Sequence, residues 1–515
     1  MTELSQIRDV GMLGVFRDPA PRSLPPNAWT DANNIRFYKR NAVRMLGHTQ
    51  VFGTPTVAPG FVFNVPATGQ SFWLYANLAK VYAYDAGVHT EITRAAGGDY
   101  SAGEYRNWNG CNLGGVPILN NGVDIPQYWT GLSAGSDLAN LSNWTSTLRA
   151  KVIRNLGPYL VALNLTDNGT PLPHSLQWSH PADPGAVPSS WDYTDPTVDA
   201  GRTHLTDAQS GPIYDGGLLG EELMIYKQGA THALRFVGGN AVLAPRLVMG
   251  SGLLCPRAWT AYDGGNRHFV IAQDDIITHA GSRATEKPLQ DKDKDYFFAD
   301  IDATNYVNTF AFNNPAFREV WIAYPSSGQT LPNKVMIWSY QYNTCKFRDW
   351  DGSLSIDIGD YTDSTAVAWS ALVGSWDDQV FQWSTQSRRR MIFGNAAATK
   401  MYGLDSGYAF GTATPACYLE RTGLVLEKDA YPVRKLVKRI WPHIRGEAVV
   451  NVRLGIQEEL DGTITWETPK QFSPSQKYLD FEAVGRLPAV RFESADNEPW
   501  QLEGYDLEWD PVSML

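Results

Sequence analysis

Cysteine is scarce in this 515-residue chain: Cys111, Cys255, Cys345 and Cys417 lie far apart and form no C-x-x-C pair. That spacing excludes a zinc ribbon and a disulfide framework and predicts four buried thiols. Long apolar runs are missing too. No stretch approaches the ~20 residues that a membrane-spanning helix needs, and MTELSQIRDVGMLGVFRD lacks the apolar block of a signal peptide. The expectation is a protein made and kept in a cytoplasm-like compartment, without membrane contact. Helical periodicity is rare. So are catalytic signatures: there is no G-x-S-x-G, no H-E-x-x-H, no G-x-x-x-x-G-K-[ST] and no G-x-G-x-x-G opening a helix, and nine scattered histidines pair with no nucleophile by spacing. The chain reads as a non-enzyme with no cofactor and no metal.

Positive charge is thin and unevenly placed. Forty-three Lys and Arg stand against 54 Asp and Glu, for a formal charge of -11. This excludes a protein that grips nucleic acid over its whole surface, because phosphate binding needs clustered cations. Residues 1–50 are the exception, with seven basic side chains against four acidic ones. After Arg491 no basic residue follows, whereas Glu493, Asp496, Glu498, Glu503, Asp506, Glu508 and Asp510 do. The two ends are electrostatic complements, able to meet within the chain or across a contact with a partner subunit.

What the chain has in quantity is 46 Gly, 31 Pro and 12% aromatics, a composition of strands and turns. Between about residues 60 and 405 one unit recurs: an alternating apolar run, a turn rich in Gly, Asn or Asp, and a second alternating run. The instances are SFWLYANLAKVYAYD, GVPILNNGVDIPQYW, YLVALNLTDNGTPLPHSLQWS, ELMIYKQGATHALRFVGG, HFVIAQDDIITHAG, EVWIAYPSSGQTLPNKVMIWSY and RMIFGNAAATKMYGL, with turn centres near residues 78, 121, 168, 229, 274, 329 and 397. A spacing of roughly 45 to 65 residues suits propeller blades with loop insertions, and radial repetition shields edges that a flat sheet of this size would expose. The expected fold is all-β: a β-propeller of six or seven blades over residues 53–412. Residues 1–52 form an N-terminal arm and hairpin. Residues 413–515 form a C-terminal antiparallel domain, in which Val450, Val452, Leu454 and Ile456 share one face.

Four segments could carry chemistry. In DKDKDYFFADID, Asp291, Asp293, Asp295 and Asp302 fall at calcium-loop positions, but Tyr296 stands where the sharp turn needs Gly; the reading is an acidic turn leading into a strand at the FF pair. SRRRM, residues 387–391, cannot turn three adjacent arginines to one side of a strand and reads as an exposed turn, open to phosphate or carboxylate contact. Trp178 and Trp191 bracket a proline-rich loop and read as structural anchors pinning it to a blade edge; exposed, they could stack on a sugar or anchor a partner. VRKLVKRIWPHIR, as a strand, would show Lys438 and Arg439 to solvent or to a partner.

The order of SLPPNAWTDANNIRFYKRNAVRMLGH, NNGVDIPQYW, LQWSHPADP with SSWDYTDP, ELMIYKQGATHALRFVGG, and VNVRLGIQ with FEAVGRLPAVRFES resembles the tail nozzle, or packaged-DNA-stabilising tail tubular, proteins of short-tailed bacteriophages (podoviruses). In that family the first hairpin has Asp-Gly or a similar tight turn after Arg-Phe; here Tyr38-Lys39-Arg40-Asn41 stands, and turn type and register are open. The resemblance implies a structural virion protein in six copies, forming a tube below the portal and head-to-tail adaptor rings. Tail fibres or spikes would attach outside and a needle or plug protein could close the far end. Genomic DNA would pass through the lumen without sequence-specific binding, past an acidic wall that does not retain it. Arm and C-terminal domain would together make a sandwich-like platform into which the propeller is inserted, with Arg36, Arg40, Arg44, Lys438 and Arg439 as candidate assembly contacts, the arm arginines meeting acidic groups of the C-terminal domain, a neighbouring copy or the adaptor. Two other readings stand beside it: a receptor- or carbohydrate-binding propeller of a tail fibre, suggested by 18 Trp and 24 Tyr, and a propeller glycosidase or lyase with carboxylates drawn from distant blades.

Overall fold

Each of the seven recurring hairpins forms the middle two strands of a four-stranded antiparallel sheet. A computed structural model describes residues 3–67, 70–132, 137–206, 210–361, 388–426, 433–460, 462–494 and 496–514. The sheets begin at Phe61–Ala67, Asn109–Leu113, Leu148–Leu156, Ile213–Leu219, Trp259–Tyr262, Phe310–Asn314 and Ser355–Tyr361, and we number the blades 1 to 7 in that order. First strands lie side by side from blade 2 through blade 6 and between blades 7 and 1; Phe61 stacked on Trp108 joins blade 1 to blade 2, and Trp350, against both Phe312 and Phe393, joins blade 6 to blade 7, so the ring is closed. The protein is a seven-bladed β-propeller on an antiparallel β platform.

Local chemistry explains the hairpins. In blade 3 Asp167 pairs with Thr170 across a two-residue turn whose Asn168 and Gly169 both have positive φ, 48° and 78°, the type I′ geometry that matches strand twist. The Asn121-Gly122 turn of blade 2 works differently: Gly122 has φ 78°, but the loop is longer, and Asn121 Oδ1 accepts from the N–H groups of Val123 and Asp124 at 3.0 and 2.8 Å.

The arm, expected to end with residue 52 as platform, gives its last strand to the wheel. His48–Val51 pairs with Lys400–Leu404 and is the outer strand of blade 7. A strand from the opposite end of the chain removes an open edge and ties first blade to last.

Two six-stranded sheets make the platform. One orders Ile35–Tyr38, Asn41–Arg44, Trp500–Met514, Val433–Gly446 and Leu479–Gly485, with Glu3–Arg8 also on Trp500–Met514; the other orders Asp31–Asn33, Cys417–Arg421, Leu487–Ser494, Val450–Gln457 and Thr465–Trp466, with Lys470–Phe472 also on Val450–Gln457. Both therefore mix arm and C-terminal strands. Val450, Val452, Leu454 and Ile456 are all buried, each contributing about 1.5–3 kcal/mol. Trp29 of the arm meets Phe492 edge-on at 6.2 Å and donates its indole N–H to Val10 O at 2.6 Å. The same apolar core runs on into blades 4, 5 and 6 through Tyr226, Phe269, Tyr324 and Phe347.

The arm hairpin pairs Tyr38 with Asn41 and Phe37 with Ala42, and Lys39 and Arg40 both have positive φ, 49° and 68°. Its turn is type I′, built from residues that the left-handed region disfavours. The double variant Lys39→Asn, Arg40→Gly should gain about 1 kcal/mol, read as a rise in thermal midpoint; a fall would show that the Arg40–Asp9 contact, 3.4 Å and exposed, outweighs the backbone strain.

Two segments depart from their expectation. The FF pair lies in a short helix, Lys294–Asp300, because Asp18 of the arm accepts from the N–H groups of Asp295 and Tyr296 at 2.9 and 2.7 Å while Phe297 is buried against Tyr324. Arg388–Asn395 is a strand, not a turn, since it pairs along Ser355–Tyr361; Ser387 lies outside the described residues. All four cysteines are free and buried.

Candidate functional site

Of the arm arginines, two are enclosed by the protein's own chain. Arg36 donates to Glu319 at 3.0 and 3.3 Å and to Asp405 at 2.9 Å, and Lys346 donates to the same Glu319. Arg36, Glu319 and Lys346 are all at most 5% exposed in their side chains, so this group clamps the arm onto blades 6 and 7. Arg44 is buried and donates to the backbone and side chain of Asp496, to Glu498 O and to Asn497 Oδ1. The complementarity of basic arm and acidic C-terminal segment is thus met, in part, within one chain. Neither Arg36 nor Arg44 has a surface to offer a second subunit, a correction to their expected role as assembly contacts: each is enclosed by acceptors that folding brings from hundreds of residues away.

Arg40, Lys438 and Arg439 remain at the surface. Lys438 pairs with Asp510, and Arg439 with Asp480 at 2.6 Å and Glu508 at 3.7 Å, each cation about two-fifths exposed. Trp178 and Trp191 are both buried; Trp178 donates to Asp199 O at 2.8 Å and Trp191 meets Trp144 at 4.5 Å. Among the described residues no group of three or more His, Cys, Asp or Glu could hold a metal ion. Asp293 instead accepts from the Arg17 N–H at 3.1 Å, and Asp302 accepts from the N–H groups of Thr304, Asn305 and Gly328.

A concavity lies on the propeller axis, where all seven blades contribute to a cavity of about 530 Å3. Its walls carry Phe61, Phe63, Trp108, Trp259, Phe310 and Phe312, and its charged groups are Arg154, Asp215, Arg257, Asp357 and Arg389. Most come from the first strand of a blade, the strand nearest the axis.

The acids here are already engaged. Asp215 accepts from Arg154 at 2.6 Å, from its neighbour's Gly216 N–H at 2.7 Å and from the Trp259 indole at 3.0 Å. Gly217 lets Trp259 lie that close, because a Cβ there would fall within 1.8 Å of the ring. Asp357 accepts from the N–H groups of Asn64 and Ile358 at 2.7 and 2.8 Å; burial pushes its carboxyl up to about 6, against the pull of those bonds and of Arg389.

The cations are less well matched. Arg257 donates to Leu354 O at 2.6 Å, its Nη2 is buried without a partner, and its backbone has φ 66°. Burial pulls its guanidinium down to about 10, with the Arg106 and Arg154 charges acting the same way and Cys255 and Asp215 opposing. The Cys255 thiol, pushed up to about 12 by burial and donating to Thr309 O, is no nucleophile.

Of these residues only Arg389, in the SRRRM run, is marked by the sequence; Arg154, Asp215, Arg257, Trp259 and Asp357 are not, because they precede the hairpins that carry the turn signals. A signal was there: a charge within the apolar first strands of blades 3, 4 and 7, as in IYDGGLL and SIDIGDY, and Gly217, on which Trp259 rests.

No protein-family model matches the chain, and no curated protein matches it. Among solved structures it is similar to PorZ, described as an essential bacterial surface component of the type-IX secretion system of Porphyromonas gingivalis, at 8% identity over 85% of this chain with a TM-score of 0.32. The chain spans 46% of the length of that PorZ structure. It is similar also to a structure described as a glycoside hydrolase, at 10% identity over 89% of this chain and 100% of that one, with a TM-score of 0.26.

Proposed function

We propose that the chain is a structural subunit of a virion tail: the nozzle of a short-tailed phage, six copies of which form a conduit under the portal and adaptor rings, retain the packaged genome and pass it on ejection. One observation carries the reading. Strands from both ends of the chain interleave in both platform sheets, and the propeller is inserted between them, the arrangement that the ordered resemblance implies. A platform closed by its own termini is a rigid unit suited to stacking in a ring, while the inserted wheel is free to face outward. The acidic balance of the chain, -11, suits a wall that polyanionic DNA must leave quickly.

Assembly contacts on this reading are the cations that still reach solvent. The triple charge reversal Arg40→Glu, Lys438→Glu, Arg439→Glu should abolish rings seen by electron microscopy of the chain mixed with its adaptor and portal, while the thermal midpoint stays within a few degrees, because exposed pairs are worth ~0–1 kcal/mol each. The unaltered chain should give six-fold rings with an open bore. A wild-type chain that stays monomeric on the assembled adaptor, or a triple variant that still forms rings, would sink the proposal.

A further inference from the structure

The axial cavity is locally basic. In a chain of formal charge -11, its walls bring together three arginines and two aspartates. Arg154 is neutralised by Asp215 at 2.6 Å. Among the described residues Arg257 has no carboxylate partner; its one hydrogen bond there is to a backbone oxygen, and its Nη2 has none. Arg257 is half-buried, and a guanidinium that has lost part of its hydration without gaining a counter-charge is costly. Arg389 stands across the strand pair from Asp360 and, at the side-chain level, is exposed. Both acids have their oxygens occupied by fixed N–H donors, so they are walls of the cavity more than they are acceptors for a guest.

Around these cations the lining is aromatic: two indoles, Trp108 and Trp259, and four phenyl rings. Trp108 donates to Asn77 O at 3.0 Å and Trp259 to Asp215 at 3.0 Å. Their polar edges are thereby satisfied and their orientation is held, which leaves ring surface as what they can offer a guest. A volume of about 530 Å3 is that of a small-molecule site and falls within the ~300–1,000 Å3 range of such pockets. Blades surround the cavity on every flank, and a volume of this size admits neither a duplex nor an extended peptide.

We infer that the axial cavity binds a small organic anion, a carboxylate or phosphate group carried on a sugar-sized ring, with the oxyanion drawn to Arg257 and Arg389 and the ring packed on the aromatic wall. The oxyanion supplies the counter-charge that Arg257 lacks, and the ring covers apolar surface that water otherwise meets. This site is independent of the assembly role proposed above, since it lies on the wheel axis and uses none of the platform cations.

Titration calorimetry of the full chain at physiological salt tests it with four probes: glucuronate, glucose 6-phosphate, glucose and inorganic phosphate. At least one of the two anionic sugars should bind with a dissociation constant below about 1 mM, glucose at least tenfold more weakly, and inorganic phosphate more weakly than the sugar that carries it. Which of the two binds identifies the source of the oxyanion as carboxylate or phosphate. Arg257→Met and Arg389→Met should each cost tenfold or more in affinity for that sugar, and Trp259→Phe should weaken the sugar without altering inorganic phosphate. Arg389 is exposed, so its variant folds even if that of Arg257 does not. The inference is overturned if neither anionic sugar binds at this level, if glucose binds as well as they do, or if Arg389→Met keeps full affinity.

Discussion

Glu319→Ala should lower the free energy of unfolding by about 3–5 kcal/mol, the cost of stranding buried cations. Glu319 is the acceptor for Arg36, Lys346 and the Trp321 indole, and all these side chains are buried. Without it Lys346 loses its carboxylate and Arg36 retains only Asp405. Arg36→Ala should lose a comparable amount, and the double variant much less than the sum, because the two share one interaction. Chemical denaturation measures all three; additive losses would show that the side chains act separately. The same group makes a statement about pH. Burial alone would raise the Glu319 carboxyl, yet Arg36 and Lys346 outweigh it and hold it below the ordinary range. A depressed acid stabilises the fold above its unfolded value, about 4.3, and that contribution is lost as pH falls through the folded one.

Acid should also unlock the junction of blades 4 and 5, through a different set of groups. His268 Nε2 lies 2.8 Å from Leu218 O, His268 Nδ1 2.7 Å from the Tyr226 hydroxyl, and that hydroxyl 2.9 Å from His279 Nε2, while the Gly281 N–H donates to His279 Nδ1 at 3.1 Å. One proton arrangement satisfies every member. His268 donates to the carbonyl and accepts from Tyr226, whose oxygen accepts from His279, and both rings are neutral. An added proton on either ring would face a donor. Burial pulls each imidazole down to about 4, helped at His268 by nothing further and at His279 by the charges of His268 and Arg267.

Between about pH 6.5 and pH 4 the unfolded chain binds the proton that the folded histidines refuse, so their stabilisation is present above 6.5 and is lost as pH drops. At about 1.4 kcal/mol per unit for each ring, the pair should cost roughly 5 kcal/mol between pH 7 and pH 4.5. Asp293 and Asp357 oppose this, because burial raises their carboxyls to about 7 and about 6, and protonation in that range favours the folded state. The measurement is therefore a difference, wild type minus His268→Gln, His279→Gln, across pH. It should shrink by those few kcal/mol on acidification; parallel curves would mean that neither ring stays neutral in the folded protein.

Reading the chain in one dimension goes a long way where structure is local. All seven hairpins were visible because alternation and positive-φ turn residues act within a few positions, and the platform strand Val450–Gln457 showed its buried face for the same reason. Arg36 and Arg44 resisted such reading. A charged side chain is exposed by default, and only folding brings Glu319 and Asp496 against them. The run Tyr296-Phe297-Phe298 had no local reason to be helical until Asp18, from the far arm, satisfied its first amide groups. Arg257 and Asp357 lie 100 residues apart and face one cavity, a fact no spacing rule contains.

What the sequence determined by itself was the all-β character, the unit of repetition and the likeness of its two ends to halves of one platform. The tertiary structure decided that the wheel has seven blades, that His48–Val51 shuts it, and which cations are spent inside and which are left for other molecules. The division has one cause: strand periodicity and turn geometry are properties of neighbours along the chain, whereas ring closure and the pairing of buried charge depend on groups that only the completed fold makes adjacent.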